Sequence, residues 1–307
     1  QAIRRTVLYL KVSRRDIPSG GSCLQRLKVT CDTAIDMPKF SLITLNCFGV
    51  PTPATHARLS TLAADLNQRA VDAICFQEVQ ANIYRRLLIG ACTTYPGHAY
   101  EPFVHAPKGG LLTLAHTPIE SSAFDLYRER GLWYTPALAD WILHKGVLIT
   151  RIKHDGLTVV LLNTHLTANY TGDWKRGNLY ARHEWEQLRQ LAQIVHAQPP
   201  DALIIVAGDF NVPRGSWLAD EFIALAGLID PLAGSTQPTY RPTPPMPVRY
   251  AAAIDFALIR LPAQLATAQA DLQAEATLIY REKHTLSNGK SAYLSDHCGI
   301  KLALTWG

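Results

Sequence analysis

The chain has little of what marks secreted or membrane-spanning proteins. Its 307 residues include only six cysteines, and none of them forms a C-x-x-C pair. No apolar run approaches the ~18 residues that a membrane-spanning helix needs. The N-terminus is basic, but its apolar stretch is too short for the core of a signal peptide. Disulfides are therefore not expected, and the pattern favours a reducing, cytoplasmic location.

Charge of one sign is also scarce over most of the chain. The formal net charge is +5, but residues 1–36 carry seven basic and three acidic side chains, which leaves only +1 for the remainder. So small an excess does not predict a nucleic-acid partner for the body of the protein. Because Met37 directly precedes the first strong strand, we expect residues 1–36 to be a poorly ordered basic N-terminal extension. Residues 37–307 should then fold as a single domain.

The sequence does contain enough apolar material for a large core. It is 48% hydrophobic and 18% charged, which excludes global disorder. Short β-rich runs alternate with stretches of helical spacing. Predicted strands cover residues 40–47, 72–77, 110–115, 147–153, 157–164, 202–208, 254–259 and 298–304, and predicted helices cover 56–70 and 180–196. Hairpins mixed with β-α-β units predict an α/β or α+β domain with packed sheets.

Several predicted strands begin or end in polar residues that a core would not favour. These residues are Asn46, Glu78, Asn163, His165, Asp209, Asn211, Asp255, Asp296 and His297. Strand ends and the loops after them are where a rigid scaffold presents reactive groups. Amides, carboxylates and imidazoles brought together there would form an oxygen-rich site for a hard divalent cation.

Each of these signals has an ordinary structural explanation when it is taken alone. Asp209 and Asn211 are typical of a turn after a strand, and a lone Glu78 is typical of a strand end at the surface. His165 has the sequence context of a hydrogen-bonded core histidine, and Asp296 that of a loop cap. Their combination in one order, each beside an apolar run, favours a functional site.

The motifs TLNCFG, FQEV, NTHL, GDFN, IDFAL and SDH together resemble the endonuclease/exonuclease/phosphatase superfamily of metal-dependent phosphoesterases. The resemblance covers roughly residues 40–304. It implies a four-layer sandwich of two packed mixed β-sheets flanked by helices, with the site at one edge. It also implies Mg²⁺ as the cofactor, with Mn²⁺ as a substitute. Separately, we expect the chain to act as a monomer.

The resemblance also implies a role for each polar residue. Glu78, Asn46 and Asp296 would be the metal ligands. His297, oriented by Asp255, would take a proton from the attacking water, and Asp209 and Asn211 would position that water and the phosphate. His165, supported by Asn163, would donate a hydrogen bond or a proton to the phosphoryl oxygens. In-line attack of this kind needs no protein nucleophile.

The middle of the chain is similar to the neutral sphingomyelinase branch of the superfamily. Asp140-Trp141 is followed by Lys145-Gly146, a segment expected to approach the substrate phosphate. Lys145, Asn211 and His165 are therefore the predicted substrate-binding residues, although a lysine that opens a strand is often simply solvated. Trp133, Tyr134 and Trp141 are suited to a lipid surface, but residues of this type more often pack within loops or the core.

The leading hypothesis is a Mg²⁺-dependent phosphodiesterase of sphingomyelinase-like, phospholipase C type, with a lipid headgroup favoured over nucleic acid. The alternative is an endonuclease or DNA-repair phosphodiesterase that uses the same site. A third hypothesis, a catalytically inactive binding module, is disfavoured because the set of polar strand ends is intact. For the lipid enzyme we expect peripheral contact with a membrane surface and no transmembrane segment.

Overall fold

The computed structural model describes residues 6–10, 39–131, 133–243, 247–267 and 272–306. In chain order the strands are β1 (Thr6–Leu10), β2 (Lys39–Asn46), β3 (Ala73–Gln77), β4 (Gly97–Ala99), β5 (Leu112–Ala115), β6 (Ile119–Leu126), β7 (Gly146–His154), β8 (Leu157–His165), β9 (Leu203–Asp209), β10 (Asp255–Arg260), β11 (Leu272–Ile279), β12 (His284–Thr285), β13 (Ser291–Ala292) and β14 (Gly299–Thr305). The helices are α1 (Thr55–Leu66), α2 (Asn82–Ala91), α3 (Leu138–Ile142), α4 (Leu179–His196), α5 (Trp217–Ala226) and α6 (Ala263–Thr267).

The strands form two large mixed sheets. One has seven strands in the order β1-β11-β14-β2-β3-β5-β4, and the other has five in the order β10-β9-β8-β7-β6. Strands β2 and β3 are parallel, as are β8 and β9, and the other pairs described within these sheets are antiparallel. The short strands β12 and β13 form a separate ribbon.

Three apolar layers stabilise the stack. Leu42 of one sheet and Leu161 of the other lie in the layer between the sheets. Helices α1 and α2 cover the outer face of the seven-stranded sheet, and α4 and α5 cover the outer face of the five-stranded sheet. The central strands are buried on both faces, which explains their nearly continuous apolar runs. This helix–sheet–sheet–helix order confirms the predicted four-layer sandwich.

Local sequence signals locate the predicted elements well. All eight predicted strands are present, with bounds within two residues of those expected. Strands β7 and β8 form a hairpin, and its turn residues Asp155 and Gly156 have φ values of 47° and 78°. A type I′ turn needs positive φ at both positions. Strand β6 was not predicted, because it lies at a sheet edge and several of its side chains are exposed.

The described cysteines, Cys47, Cys75, Cys92 and Cys298, are free thiols in buried positions. Burial raises the pKa of the Cys47 and Cys75 thiols to about 12, so these side chains act as small apolar groups. Most of the predicted N-terminal extension lies outside the described residues. The part of the extension that the structure describes is β1, which pairs with β11 at the sheet edge. The division of the chain at residue 37 stays a prediction. None of the described helices is both long and apolar enough to cross a membrane.

Candidate active site

One edge of the sandwich contains the polar residues that the sequence singles out. The carboxyl ends of β2, β3, β8 and β9 meet there with the amino ends of the antiparallel strands β5, β7, β10 and β14. A cavity of about 490 Å³ opens at this edge. Seven of the predicted site residues line it: Glu78, Lys145, His165, Asp209, Asn211, Asp296 and His297.

Asp209 lies at the centre of the polar cluster. Its Oδ2 accepts a hydrogen bond of 2.9 Å from the Asn46 amide, and the Nε2 atoms of His165 and His297 lie 3.5 and 3.6 Å from the same oxygen. Its Oδ1 accepts from the Asn211 backbone N–H at 2.9 Å. The preceding Gly208 is required for this packing, since a Cβ there would lie 1.9 Å from the Thr164 carbonyl oxygen.

His297 is held between two carboxylates. Its Nδ1 lies 2.9 Å from Oδ2 of Asp255, and its Nε2 faces Asp209 and the cavity. The Tyr240 ring lies beside the imidazole, with 5.0 Å between the ring centroids. Burial lowers the pKa of His297, but the charges of Asp255 and Asp209 outweigh it, so the pKa rises well above its ordinary value.

Glu78 projects into the cavity from an unusual backbone conformation. It follows β3 directly and has a φ of 56°, a left-handed value that is uncommon for residues other than glycine. Its carbonyl oxygen accepts from the Gly49 N–H at 2.9 Å, and a Cβ on Gly49 would lie only 2.3 Å from that oxygen. The adjoining loop therefore maintains a backbone turn that costs about 1–3 kcal/mol and directs the carboxylate into the site.

Burial raises the proton affinity of two acidic groups of the cavity. Burial raises the pKa of Glu78 to about 7, and the nearby charge of Asp296 adds to the increase. Burial also raises the pKa of Asp209 to about 6. These directions show that the buried negative charge is only partly compensated by the protein itself.

The donor set fits a hard divalent cation. Possible ligand atoms of Glu78, His165 and Asp209 lie within 4.8 Å of one another, as do those of Asp209, Asp255 and His297. A divalent cation would compensate the carboxylates, and oxygen-rich sites of this kind suit Mg²⁺ or Mn²⁺. The predicted ligand Asp296 is outside both groups, although it lines the same cavity.

Three of the predicted residues lie outside the cavity lining and support it from behind. Asp255 contacts His297, and Asn46 contacts Asp209, as described above. Asn163 is fully buried between the sheets, where its amide donates to the Phe76 and Leu112 carbonyls at 3.1 and 3.2 Å. Its Oδ1 accepts from Gln77 at 2.8 Å, so these contacts join the two sheets beneath the site.

Lys145 is buried rather than solvated. Its exposed fraction is 1%, and its Nζ donates to the Leu166 carbonyl at 2.9 Å and pairs with Asp140 at 3.1 Å. Burial, together with the positive charge of Lys145, lowers the pKa of His165 well below its ordinary value. The His165 imidazole is therefore neutral near pH 7, so it can donate a hydrogen bond without carrying a charge.

Sequence reasoning missed the aromatic walls of the cavity. Phe48, Tyr170, Trp174, Tyr240 and Tyr250 all line it. Tyr240 belongs to the proline-rich sequence 238–247, and it forms a β-bridge with His297. The one local signal there is Tyr240 itself, because an aromatic side chain is unusual in a solvated proline-rich loop.

Known proteins are similar to this chain in sequence and in fold. A putative neutral sphingomyelinase from Drosophila melanogaster is 30% identical over 176 residues, which are 56% of this chain but only 39% of that relative. The structure of sphingomyelinase C from Streptomyces griseocarneus has a TM-score of 0.66 at 21% identity, covering 87% of this chain and 99% of that one. A D. rerio TDP2 complexed with a single-strand DNA product has a TM-score of 0.65 at 19% identity, with the same two coverages. At these identities the solved structures show a shared fold.

A family model extends the agreement along most of the chain. Residues 43–297 match the model described as the Endonuclease/Exonuclease/phosphatase family. The proteins of this family are phosphoric diester hydrolases, which confirms the predicted enzyme class at the level of the family. The match includes every predicted site residue from Asn46 to His297. The chain belongs to the Endonuclease/Exonuclease/phosphatase family, as its motifs predict.

Proposed function

We propose that this chain is a divalent-cation-dependent phosphodiesterase whose substrate is a lipid with a phosphocholine-type headgroup. The observation that carries the chemistry is the arrangement around Asp209, where two buried histidines approach one carboxylate oxygen at 3.5 and 3.6 Å. One of these histidines, His297, is backed by Asp255. The other, His165, lies beside Lys145.

Glu78 and Asp296 would hold the cation, with Asn46 supporting the acidic cluster through its bond to Asp209. Asp209 also offers a donor atom near that of Glu78. When bound, Mg²⁺ or Mn²⁺ would polarise a phosphoryl oxygen and stabilise charge on the leaving oxygen. Burial raises the pKa values of Glu78 and Asp209 because it disfavours their negative charges, and a bound cation would offset that cost.

His297 would take the proton from the attacking water at Nε2. The contact of its Nδ1 with Asp255 fixes the ring orientation and leaves Nε2 directed at the cavity. A carboxylate on Nδ1 also makes the imidazole more basic. Asp209 and Asn211 would orient the water and the phosphate, since both residues line the cavity and an Asp209 oxygen lies 3.6 Å from Nε2.

His165 and Lys145 would contact the phosphate oxygens. A neutral His165 can donate a hydrogen bond, and the Lys145 ammonium supplies a point charge. In the structure that ammonium is bonded to Asp140 and to the Leu166 carbonyl, so phosphate contact would require it to share or exchange these partners. Asn163, which lies between the sheets, would support His165 by fixing the end of β8.

The lipid preference rests on an exposed aromatic segment beside the cavity, residues 133–142. Trp133 is 76% exposed, Tyr134 59% and Trp141 43%. The segment leads directly to Leu143 and Lys145 in the cavity lining. Arg130 lies 5.2 Å from the Trp141 ring. Exposed aromatic side chains with a cation beside them suit the interface between membrane and water.

The decisive experiment offers purified protein two substrates, sphingomyelin in detergent micelles and plasmid DNA, with Mg²⁺ or with a chelator. We expect Mg²⁺-dependent release of phosphocholine and its loss in His297→Ala. Turnover of DNA alone would overturn the lipid preference in favour of a nuclease. Turnover in chelator would overturn the role of the cation.

A second measurement tests the aromatic segment. Trp133→Ala should weaken sedimentation with sphingomyelin vesicles while hydrolysis of soluble bis(p-nitrophenyl) phosphate stays unchanged. Leu225→Ala, which alters an exposed apolar residue on α5, is the matched control and should sediment like the wild type. Equal binding by all three proteins contradicts membrane contact through this segment.

A further inference from the structure

We infer that Arg241 is a positioning residue, which fixes the backbone of the segment 295–298 and thereby the place of His297 in the site. The inference rests on the proposed function in that it takes His297 as the proton acceptor. Arg241 itself does not line the cavity, so it is not expected to touch the substrate.

Arg241 contacts all four residues of this segment. Its backbone N–H donates to the Asp296 carbonyl at 2.7 Å. The Nη2 group donates to the Ser295 and His297 carbonyls at 2.7 and 2.8 Å, and Nη1 donates to the Cys298 sulfur. The guanidinium carbon also lies 4.4 Å from the centre of the Tyr293 ring. One side chain thus bonds to the residues on both sides of Asp296.

Two further contacts join the segment 295–298 to the loop that contains Arg241. The Tyr240–His297 bridge and the 2.6 Å bond from the Cys298 N–H to the Thr239 carbonyl join the same two stretches of chain. The Arg58 guanidinium donates to the Leu294 carbonyl at 2.8 Å and to the Phe48 carbonyl at 2.7 Å. A second arginine therefore bonds to the residue that directly precedes the segment.

The chemistry of the contact favours arginine over other side chains. A guanidinium presents several donors in a fixed plane, so it can bond carbonyls that lie in different directions. A lysine carries its charge on a single ammonium nitrogen, so it could not donate to carbonyls that lie in these different directions. Loss of the hydrogen bonds from the Arg241 guanidinium should let His297 move away from its place between Asp255 and Asp209. A misplacement of about 1 Å costs roughly 100-fold in rate.

The test compares Arg241→Ala with Arg260→Ala. Arg260 is a matched control because its guanidinium also donates to backbone carbonyls, those of Val195, Gln198 and Pro199, far from the cavity. With bis(p-nitrophenyl) phosphate and Mg²⁺, we expect Arg241→Ala to lower kcat about 100-fold with KM unchanged. Arg260→Ala should leave both constants near wild type, and millimolar guanidinium should restore activity only to Arg241→Ala.

Hydrogen exchange provides a readout that does not depend on activity. In Arg241→Ala the amides of residues 296–298 should exchange faster than in wild type, and those of Arg260→Ala should not. If Arg241→Ala does not fold, Arg241→Lys replaces it in the test. This variant retains the positive charge but lacks the planar set of donors, so it should show the same changes in exchange and kcat. Unchanged exchange, or a kcat loss equal to that of Arg260→Ala, overturns the inference. An inactive wild type with accelerated exchange in the variant would instead contradict the proposed function alone.

Discussion

The contact between His297 and Asp255 allows a quantitative prediction about pH. The two side chains are 5% and 2% exposed, and Nδ1 lies 2.9 Å from the carboxylate oxygen. Asp255→Asn removes the negative charge but retains the size of the side chain. The variant should lower the pKa of His297, because Asp255 is the largest of the causes that raise it.

The size of the effect follows from the burial of the pair. A hydrogen bond to a charged group is worth about 1.5–3 kcal/mol, and about 1.4 kcal/mol corresponds to one pKa unit. The pKa of His297 should therefore fall by about one to two units. A base must be unprotonated to act, so activity rises as pH passes its pKa. The acid limb of the pH–rate profile should move to lower pH by about the same amount.

The maximal rate should fall at the same time. Without the carboxylate, Nδ1 loses the partner that fixes its proton and the ring orientation, and a positioned general base contributes about 10²–10⁴ in rate. We expect kcat to drop within that range. The profile is measured with bis(p-nitrophenyl) phosphate at saturating Mg²⁺, from about pH 5 to about pH 9.5.

The matched control is Asp72→Asn. Asp72 also lies near a histidine, His154, at 3.6 Å, but it precedes β3 and so lies at the opposite edge of the sheets. This variant should retain the wild-type acid limb and kcat. If Asp255→Asn leaves the acid limb where it is in the wild type, His297 is not the base whose protonation limits the rate.

Three other predictions concern the cation and the sheet interface. The pKa values of Glu78 and Asp209 are raised to about 7 and about 6, so at a pH below these values a cation must displace protons from the carboxyl groups in order to bind. Mg²⁺ should therefore raise Tm more at about pH 8 than at about pH 5.5, and equal increases in Tm would refute this. Glu78→Gln should abolish the Mg²⁺-induced rise without lowering the metal-free Tm, because burial disfavours the charge that is removed; a metal-free Tm several degrees lower contradicts it. Asn163→Ala leaves buried carbonyls without their donor and should lower the free energy of unfolding in urea by about 2–4 kcal/mol. It should also lower kcat, because Asn163 fixes the end of β8 that carries His165; a variant as active as the wild type would contradict that support.

Local patterns were sufficient for the scaffold. The apolar runs that became β2, β8 and β9 are buried on both faces, and such runs are visible without any knowledge of their partners. The sequence patterns did not predict the less regular strands. Strand β6 has exposed side chains and lies at an edge, and Gly97–Ala99 (β4) is too short to show an alternation.

The site was predicted as a set of residues but not as an arrangement. The sequence predicts that Asp209 positions the attacking water. The structure adds that Asp209 contacts Asn46 and lies close to both histidines. Asn163, predicted beside His165 in the chemistry, has its amide between the sheets. These contacts join residues far apart in the chain, so no local spacing could predict them.

By itself, the sequence determined which residues stand at strand ends, and hence the family and the sandwich. Strand periodicity and turn chemistry act over a few neighbouring residues, which is why they can be read from the chain. Only the tertiary structure decided which side chains meet, because the packing of one sheet on the other sets the distances from His297 to Asp209 and Asp255. It also showed Arg241 behind the 295–298 segment, a contact between two loops whose approach depends on the whole edge of the sandwich.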